Sequence, residues 1–173
     1  MSDLTRVEFL NVTVGGFSRP QLMSKLSARG ILLNAHAETL LENAVFETRT
    51  AQTVAVTERT VAELSLPDGG SLSQILEAAQ QQNLLLCPAD TGPYLRLALD
   101  EQATSADSVM SSGRAPTGSL TVASPVLSED DEYPKGFYLR VVDGQPWLRG
   151  YRCDDEHVWS ADDRFIFRVP ETE

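Results

Sequence analysis

The residues best suited to chemistry lie in the segment CPADTGPYLRL, at positions 87–97. Its two prolines and its glycine restrict the backbone, because proline fixes φ and glycine enters turns that other residues avoid. We expect this restricted path to hold the Asp90 carboxylate and the Arg96 guanidinium in reproducible positions. An arginine held in this way either pairs with an acidic residue of the protein or faces a ligand.

Arginine and aromatic side chains recur at alternate positions in three strand-like segments. Side chains two residues apart share one face of a strand, so an aromatic residue and an arginine come together in each segment. If these faces coincide, the surface suits an anionic or planar ligand or a protein partner, since guanidinium groups bind carboxylates in pairs of hydrogen bonds and stack on rings. The candidate binding residues are Asp90, Tyr94, Arg96, Tyr138, Arg140, Trp147 and Arg149.

Two alternatives compete with a binding surface. In the first, the arginines pair across strands with Asp90, Asp154 or Asp163, and their aliphatic stems cover the sheet. In the second, the protein is a hydrolase or transferase of unknown substrate that uses Asp90, Arg96 and His157. No two groups stand at a spacing diagnostic of nucleophile and base, so the sequence favours a non-enzymatic binding or interaction protein.

Metal and cofactor chemistry have little support in the sequence. There is no phosphate-binding loop and no dinucleotide fingerprint. With two histidines in the chain, residues 153–157 form the one local cluster of metal-ligand types, and a solvated acidic turn explains it more simply. Cys87 follows three leucines, which predicts a buried, unreactive thiol. We expect neither a metal nor a cofactor.

The charge of the chain limits its partners. The formal net charge is -11, and residues 90–173 carry most of the acidic excess. Such a surface repels nucleic acid and anionic membranes at long range. The sequence shows no export-signal pattern and no run of about eighteen apolar residues. We therefore expect a cytoplasmic protein whose partner is another protein or a small anionic ligand, in an oligomeric state that the sequence does not define.

The first half of the chain predicts both helices and strands. A short strand is expected within residues 7–14, and two helices within residues 18–46 should form a hairpin with apolar stripes. Residues 53–57 are typical of a strand, and a longer helix should begin at Ser71 or Ser73. The apolar run of residues 84–86 and the alternating residues 94–99 are expected to be strands.

The second half predicts an antiparallel meander. Its strands are expected at residues 120–123, 137–142, 147–152 and 164–169. Asp143 and Gly144 should form a tight hairpin turn between the middle pair, because that composition permits positive φ. Residues 101–118 are small, polar and aperiodic, which predicts a mobile loop.

The segment Ala62 to Leu97, together with residues 147–170, resembles an uncharacterised family of bacterial hypothetical proteins. The family shares a Leu-Cys-Pro-Ala-(Asp/Glu)-x-Gly-Pro-x-Leu-Arg-Leu segment, which corresponds here to residues 86–97, with Asp90 at the acidic position. The resemblance covers most of the chain. It implies a shared fold, and it supplies no reaction because the family has no established activity.

Together these features predict an α+β fold. We expect an N-terminal helical hairpin and one further helix, packed on or beside a mainly antiparallel sheet. Residues 1–173 should form a single unit, comprising a helical part (1–46), a mixed part (53–100), the loop (101–118) and the meander (119–170). The one plausible boundary lies near residues 47–52.

Overall fold

A mixed β-sheet organises the protein. The computed structural model describes residues 10–43, 46, 50–103, 120–130, 132–142, 145–152 and 157–170. Within these ranges the sheet has seven strands in the order β1-β3-β7-β4-β5-β6-β2. The pairs β4–β7 and β2–β6 are parallel, and the others are antiparallel. The strands are β1 (Leu10–Val14), β2 (Leu32–Leu33), β3 (Gln52–Thr60), β4 (Leu120–Val122), β5 (Gly136–Val142), β6 (Gln145–Tyr151) and β7 (Arg164–Arg168).

Local sequence signals define the helix ends. The helices are α1 (Arg19–Ala28), α2 (Ala35–Leu41), α3 (Leu72–Gln81) and α4 (Thr91–Ala103), with a 3₁₀ turn at Ala62–Leu64. Ser18 and Ser71 each form a reciprocal capping box with the glutamine three residues later. Gly30 and Asn83 adopt positive φ directly after α1 and α3, which lets the chain leave each helix in a left-handed turn.

One face of the sheet, called here the inner face, packs against α1, α2 and α4. Val12, Val54, Leu148 and Ile166 from four strands share a core with Leu95 of α4. Because isolated helices of this length are marginal in water, this burial provides most of their stability.

The opposite, outer face is covered by α3 and the 3₁₀ turn over β7. Phe165 and Phe167 point to this side and pack with Ile75 and Ala79 of α3 and with Leu64. Ile75 and Ala79 belong to the predicted apolar stripe of that helix, and both are buried.

The sheet is mixed, and the expectation of a sequential meander needs correction. Strands β4, β5 and β6 form an antiparallel meander, but β7 leaves it and inserts between β3 and β4, parallel to β4. This arrangement buries Phe165, Ile166 and Phe167 from both sides of the sheet, which is typical of a central strand. The turn residues Asp143 and Gly144 lie outside the described residues, although Val142 pairs with Gln145 across them.

The N-terminal part is mixed rather than a simple helical hairpin. Both predicted helices exist, but β2 lies between them and pairs in parallel with β6 at Trp147 and Leu148. As a result α1 packs against α4, whereas α2 packs against β6.

Two further expectations for the middle of the chain are wrong. Residues 94–99 form part of the helix α4, and so do residues 101–103 of the predicted loop; residues 104–119 lie outside the described part. In the run of residues 84–86, the sole β contact described is an isolated bridge between Leu85 and Arg168. The division into one unit with a boundary near residues 47–52 stays a prediction.

Candidate functional site

Five of the arginine and aromatic residues form one patch on the outer face of β5 and β6. Across these strands Tyr138 lies opposite Arg149, and Arg140 lies opposite Trp147. Directly opposed residues point to the same side of a sheet, as do residues two positions apart. Tyr151, opposite Gly136, joins them. We call Tyr138, Arg140, Trp147, Arg149 and Tyr151 the arginine–aromatic face; each is partly buried.

The two arginines of this face lack an acidic partner among the described residues. Arg149 lies over the Trp147 ring, with Cζ 4.2 Å from the ring centroid. The Nε–H groups of Arg140 and Arg149 are both buried, and no acceptor from the described part of the chain contacts them. Two partly desolvated positive charges therefore lie at diagonal positions of one face without a counter-ion among the described residues, which costs free energy that an anion would recover.

The alternative of cross-strand pairing does not explain these two arginines. The Asp163 carboxylate accepts a hydrogen bond from the Ser160 backbone N–H at 2.9 Å. Asp90 precedes α4, which packs on the inner face, and Asp154 lies outside the described residues. Other arginines do form ion pairs: Arg152 pairs with Glu132 at 2.7 Å, and Arg164 pairs with Glu58 at 3.2 Å.

Trp159 closes one side of the arginine–aromatic face. Its ring contacts Tyr151 at 5.7 Å and Phe165 at 5.0 Å between centroids. Backbone hydrogen bonds with Gly70 hold it in place, and Gly69 must be glycine because a Cβ there would lie 2.1 Å from the Trp159 carbonyl oxygen. The indole Nε1–H of Trp159 is buried, and none of the described residues accepts a hydrogen bond from it, so the face has a further unused donor beside Tyr151.

Two side chains, those of Asn34 and Arg96, form hydrogen bonds with the backbone of strand β6. The Asn34 side chain accepts from the Gly150 N–H at 2.9 Å and donates to the Gly150 carbonyl at 3.1 Å, while also capping α2. Arg96 donates through Nη1 to the Trp147 carbonyl at 3.5 Å. These contacts hold the backbone that carries Trp147 and Arg149.

Three predicted site residues do not join the arginine–aromatic face. Asp90, Tyr94 and Arg96 lie at the start of α4, and their exposed fractions are 7%, 6% and 5%. Tyr94 stacks on Phe17 and accepts a hydrogen bond from its backbone N–H at 3.3 Å. The predicted strand would have aligned Tyr94 and Arg96 with Tyr138 and Arg140, but the helix places the first two on the opposite side of the sheet.

Asp90 gives a pH-dependent prediction. Burial raises the pKa of its carboxyl above the reference value of 3.8. The native state therefore binds a proton more tightly than the unfolded state, so this group's stabilising contribution is complete below pH 3.8 and is lost as pH rises through the native pKa. We expect Asp90→Asn to increase the free energy of unfolding at pH 7, and this difference from wild type should shrink towards pH 3.8. Urea unfolding at several pH values measures it, and a less stable variant at pH 7 would contradict it.

The residues of the enzymatic alternative are not brought together. His157 is exposed and its ring lies 4.9 Å from that of Trp159, on the outer side, whereas Asp90 and Arg96 belong to the inner side. The Cys87 thiol is fully buried, and burial raises its pKa to about 12, so it is not a thiolate at neutral pH.

Other candidate sites are weaker. Among the described residues, no group of three or more His, Cys, Asp or Glu side chains is placed to hold a metal ion. Residues 153–156 of the predicted acidic cluster lie outside that set. In the same part of the chain, every helix is too short or too polar to cross a membrane. A cavity of about 430 Å³ near α3 is lined mostly by apolar side chains, with Glu77 as its charged residue, so it does not suit an anion.

Sequence reasoning left Trp159 and Leu32 out of the candidate site. Trp159 follows the acidic segment 153–157, and no periodic signal in the sequence indicated that it contacts Tyr151. Leu32 lies in a short apolar run after Gly30; the pairing of β2 with β6 places it next to Trp147. The alternation of arginine with aromatic residues did predict that Tyr138 and Arg140 share one side of β5, and Trp147 and Arg149 one side of β6.

Comparison with known proteins gave no match among protein-family models, curated proteins or solved structures.

Proposed function

We propose that this protein is a non-enzymatic binding protein that receives an anionic group on its arginine–aromatic face. The observation that carries the proposal is the pair Arg140 and Arg149, which point to one side of the sheet and make no ion pair with a described residue. Carboxylates and phosphates complement guanidinium groups in both charge and geometry. The nearby rings favour binding because they lower the local dielectric around the contact.

Stability alone is a poor reason for this arrangement. A surface strand requires no arginine over an aromatic ring, and a partly buried charge without a counter-ion is unfavourable. Proteins tolerate such local costs mainly at functional sites. No comparable observation favours the hydrolase or transferase alternative.

Calorimetric titration with citrate tests the proposal. Citrate presents several carboxylates that two arginines can bind together. Each charge-assisted hydrogen bond contributes about 1.5–3 kcal/mol net, so two of them give about 3–6 kcal/mol, a range that includes the roughly 4 kcal/mol of a dissociation constant of about 1 mM. We expect saturable binding of one citrate per chain at about 0.15 M salt.

Arg152→Gln is a matched control. Arg152 follows β6 directly, but it is exposed and paired with Glu132. This variant should bind citrate as wild type does. Absence of saturable binding to wild type at concentrations tenfold above the expected constant would refute the proposed function.

A further inference from the structure

An exposed apolar side chain continues the arginine–aromatic face to the edge of the sheet. Leu32 of β2 pairs directly with Trp147 of β6 and therefore points to the same side. Its side chain is 41% exposed, whereas its neighbour Leu33, on the inner side, packs against the core. A row of Leu32, Trp147 and Arg140 thus crosses three strands from the edge inward.

The edge of β6 is not available to an added strand. Trp147 and Leu148 pair with β2, Asn34 takes both backbone groups of Gly150, and the Gln145 side chain bonds to the Gly30 carbonyl. A partner at this place must therefore contact side chains on the outer face rather than extend the sheet.

We infer that the occupant of the arginine–aromatic face is a polypeptide segment that carries a carboxylate beside an apolar side chain. This inference rests on the proposed function and specifies its ligand. The row combines arginine, tryptophan and an exposed leucine on one face of a sheet, which is the composition of a protein-binding surface, whereas small ligands prefer concave sites. Arg140 and Arg149 receive the carboxylate, and Leu32 with Trp147 receives the apolar side chain.

The net charge of the chain restricts the acidity of this segment. At -11, the protein repels a strongly acidic partner at long range, although at 0.15 M salt such repulsion decays over about 8 Å. The two arginines, in contrast, act at contact distance. A segment with one or two acidic residues beside an aliphatic or aromatic residue is repelled little at long range and can still pair with the two arginines at contact.

Selection from a displayed library of random twelve-residue peptides tests the inference. The library is panned on wild type at about 0.15 M salt, after depletion on Arg140→Gln/Arg149→Gln. We expect the enriched peptides to contain aspartate or glutamate next to an aliphatic or aromatic residue. Replacing that acid by its amide in a synthetic peptide should weaken binding at least tenfold.

The variant Leu32→Ser separates this inference from the proposed function. It should weaken the selected peptide about tenfold, because it removes apolar contact area, and leave citrate binding unchanged. Val126→Ser, which alters another exposed aliphatic residue (43%), should change neither. Citrate binding without enriched acidic peptides, or peptide binding unaffected by Leu32→Ser, would overturn the inference and leave the proposed function standing. If wild type binds neither citrate nor an acidic peptide, both the proposed function and this inference are refuted.

Discussion

Gly150→Ala is expected to lower the free energy of unfolding by about 3 kcal/mol, near the upper end of what overpacking usually costs. Gly150 lies in β6 between two residues of the arginine–aromatic face, with its hydrogens toward α2. A Cβ at this position would lie 2.7 Å from the His36 carbonyl carbon and 2.9 Å from the Ala37 nitrogen. These are backbone atoms at the start of α2, so relief requires the whole helix to move.

Movement of α2 would carry a second cost. Asn34 caps that helix and also bonds to both backbone groups of Gly150, so separating α2 from β6 breaks these hydrogen bonds together. Urea unfolding measures the change. The total stability of a domain is about 5–15 kcal/mol, and a loss of this size is therefore readily detected.

Gly136→Ala is the matched control for Gly150→Ala. Gly136 is also a strand glycine, in the adjacent β5, but the atoms nearest to its added Cβ are side-chain atoms at 3.4 Å, an ordinary contact distance. We expect its stability to stay within about 0.5 kcal/mol of wild type, as for most unstrained substitutions. Equal effects of the two variants would show that α2 does not pack on β6 as described.

The second large effect concerns binding. Arg140→Gln/Arg149→Gln is expected to weaken citrate binding by about 100-fold or more, since each lost charge-assisted hydrogen bond is worth about 1.5–3 kcal/mol. Glutamine retains part of the aliphatic stem but cannot pair with a carboxylate as an ion. Calorimetric titration of this variant beside Arg152→Gln measures the difference.

The same variant should remain folded and nearly as stable as wild type. It loses the stacking of Arg149 on Trp147, worth about 0.5–1 kcal/mol at an exposed site. It also removes two partly desolvated charges that have no described counter-ion, which offsets that loss. A fall of several kcal/mol in the free energy of unfolding would instead assign the arginines to structural ion pairs.

Predictions based on short-range patterns agreed best with the structure. The strand at residues 53–57 and the helix after Ser71 were recognisable from composition, capping and periodicity, and both are present with longer or slightly shifted bounds. On β5 and β6, the alternation of arginine with aromatic residues was sufficient to predict that Tyr138 and Arg140 share a side, and likewise Trp147 and Arg149.

The failure at residues 94–99 has a specific physical cause. Alternating leucines at 95, 97 and 99 suggest a strand, but Gly92 and Pro93 lie in the first turn of α4, where proline is well tolerated. The inner side of the sheet needs a helix to cover Phe137, and Gly92 permits close contact: a Cβ there would lie 2.6 Å from that ring. Such tertiary constraints are not visible in a local pattern.

The strand order of the sheet likewise could not be predicted from local sequence signals. The insertion of β7 between β3 and β4 depends on long-range pairing, and the sequence of β7, RFIFR, fits either an edge or a centre. The same holds for β2, whose two residues carry no strand signal of their own but bring Leu32 to Trp147.

The most direct test of the arginine–aromatic face uses the two indole N–H signals of the chain, from Trp147 and Trp159. In ¹⁵N-labelled protein titrated with citrate, we predict that the Trp147 signal shifts saturably in wild type and stays in place in Arg140→Gln/Arg149→Gln. A saturable Trp147 shift of the same size in the double variant, or citrate binding to wild type that leaves the Trp147 signal unmoved, would contradict the account.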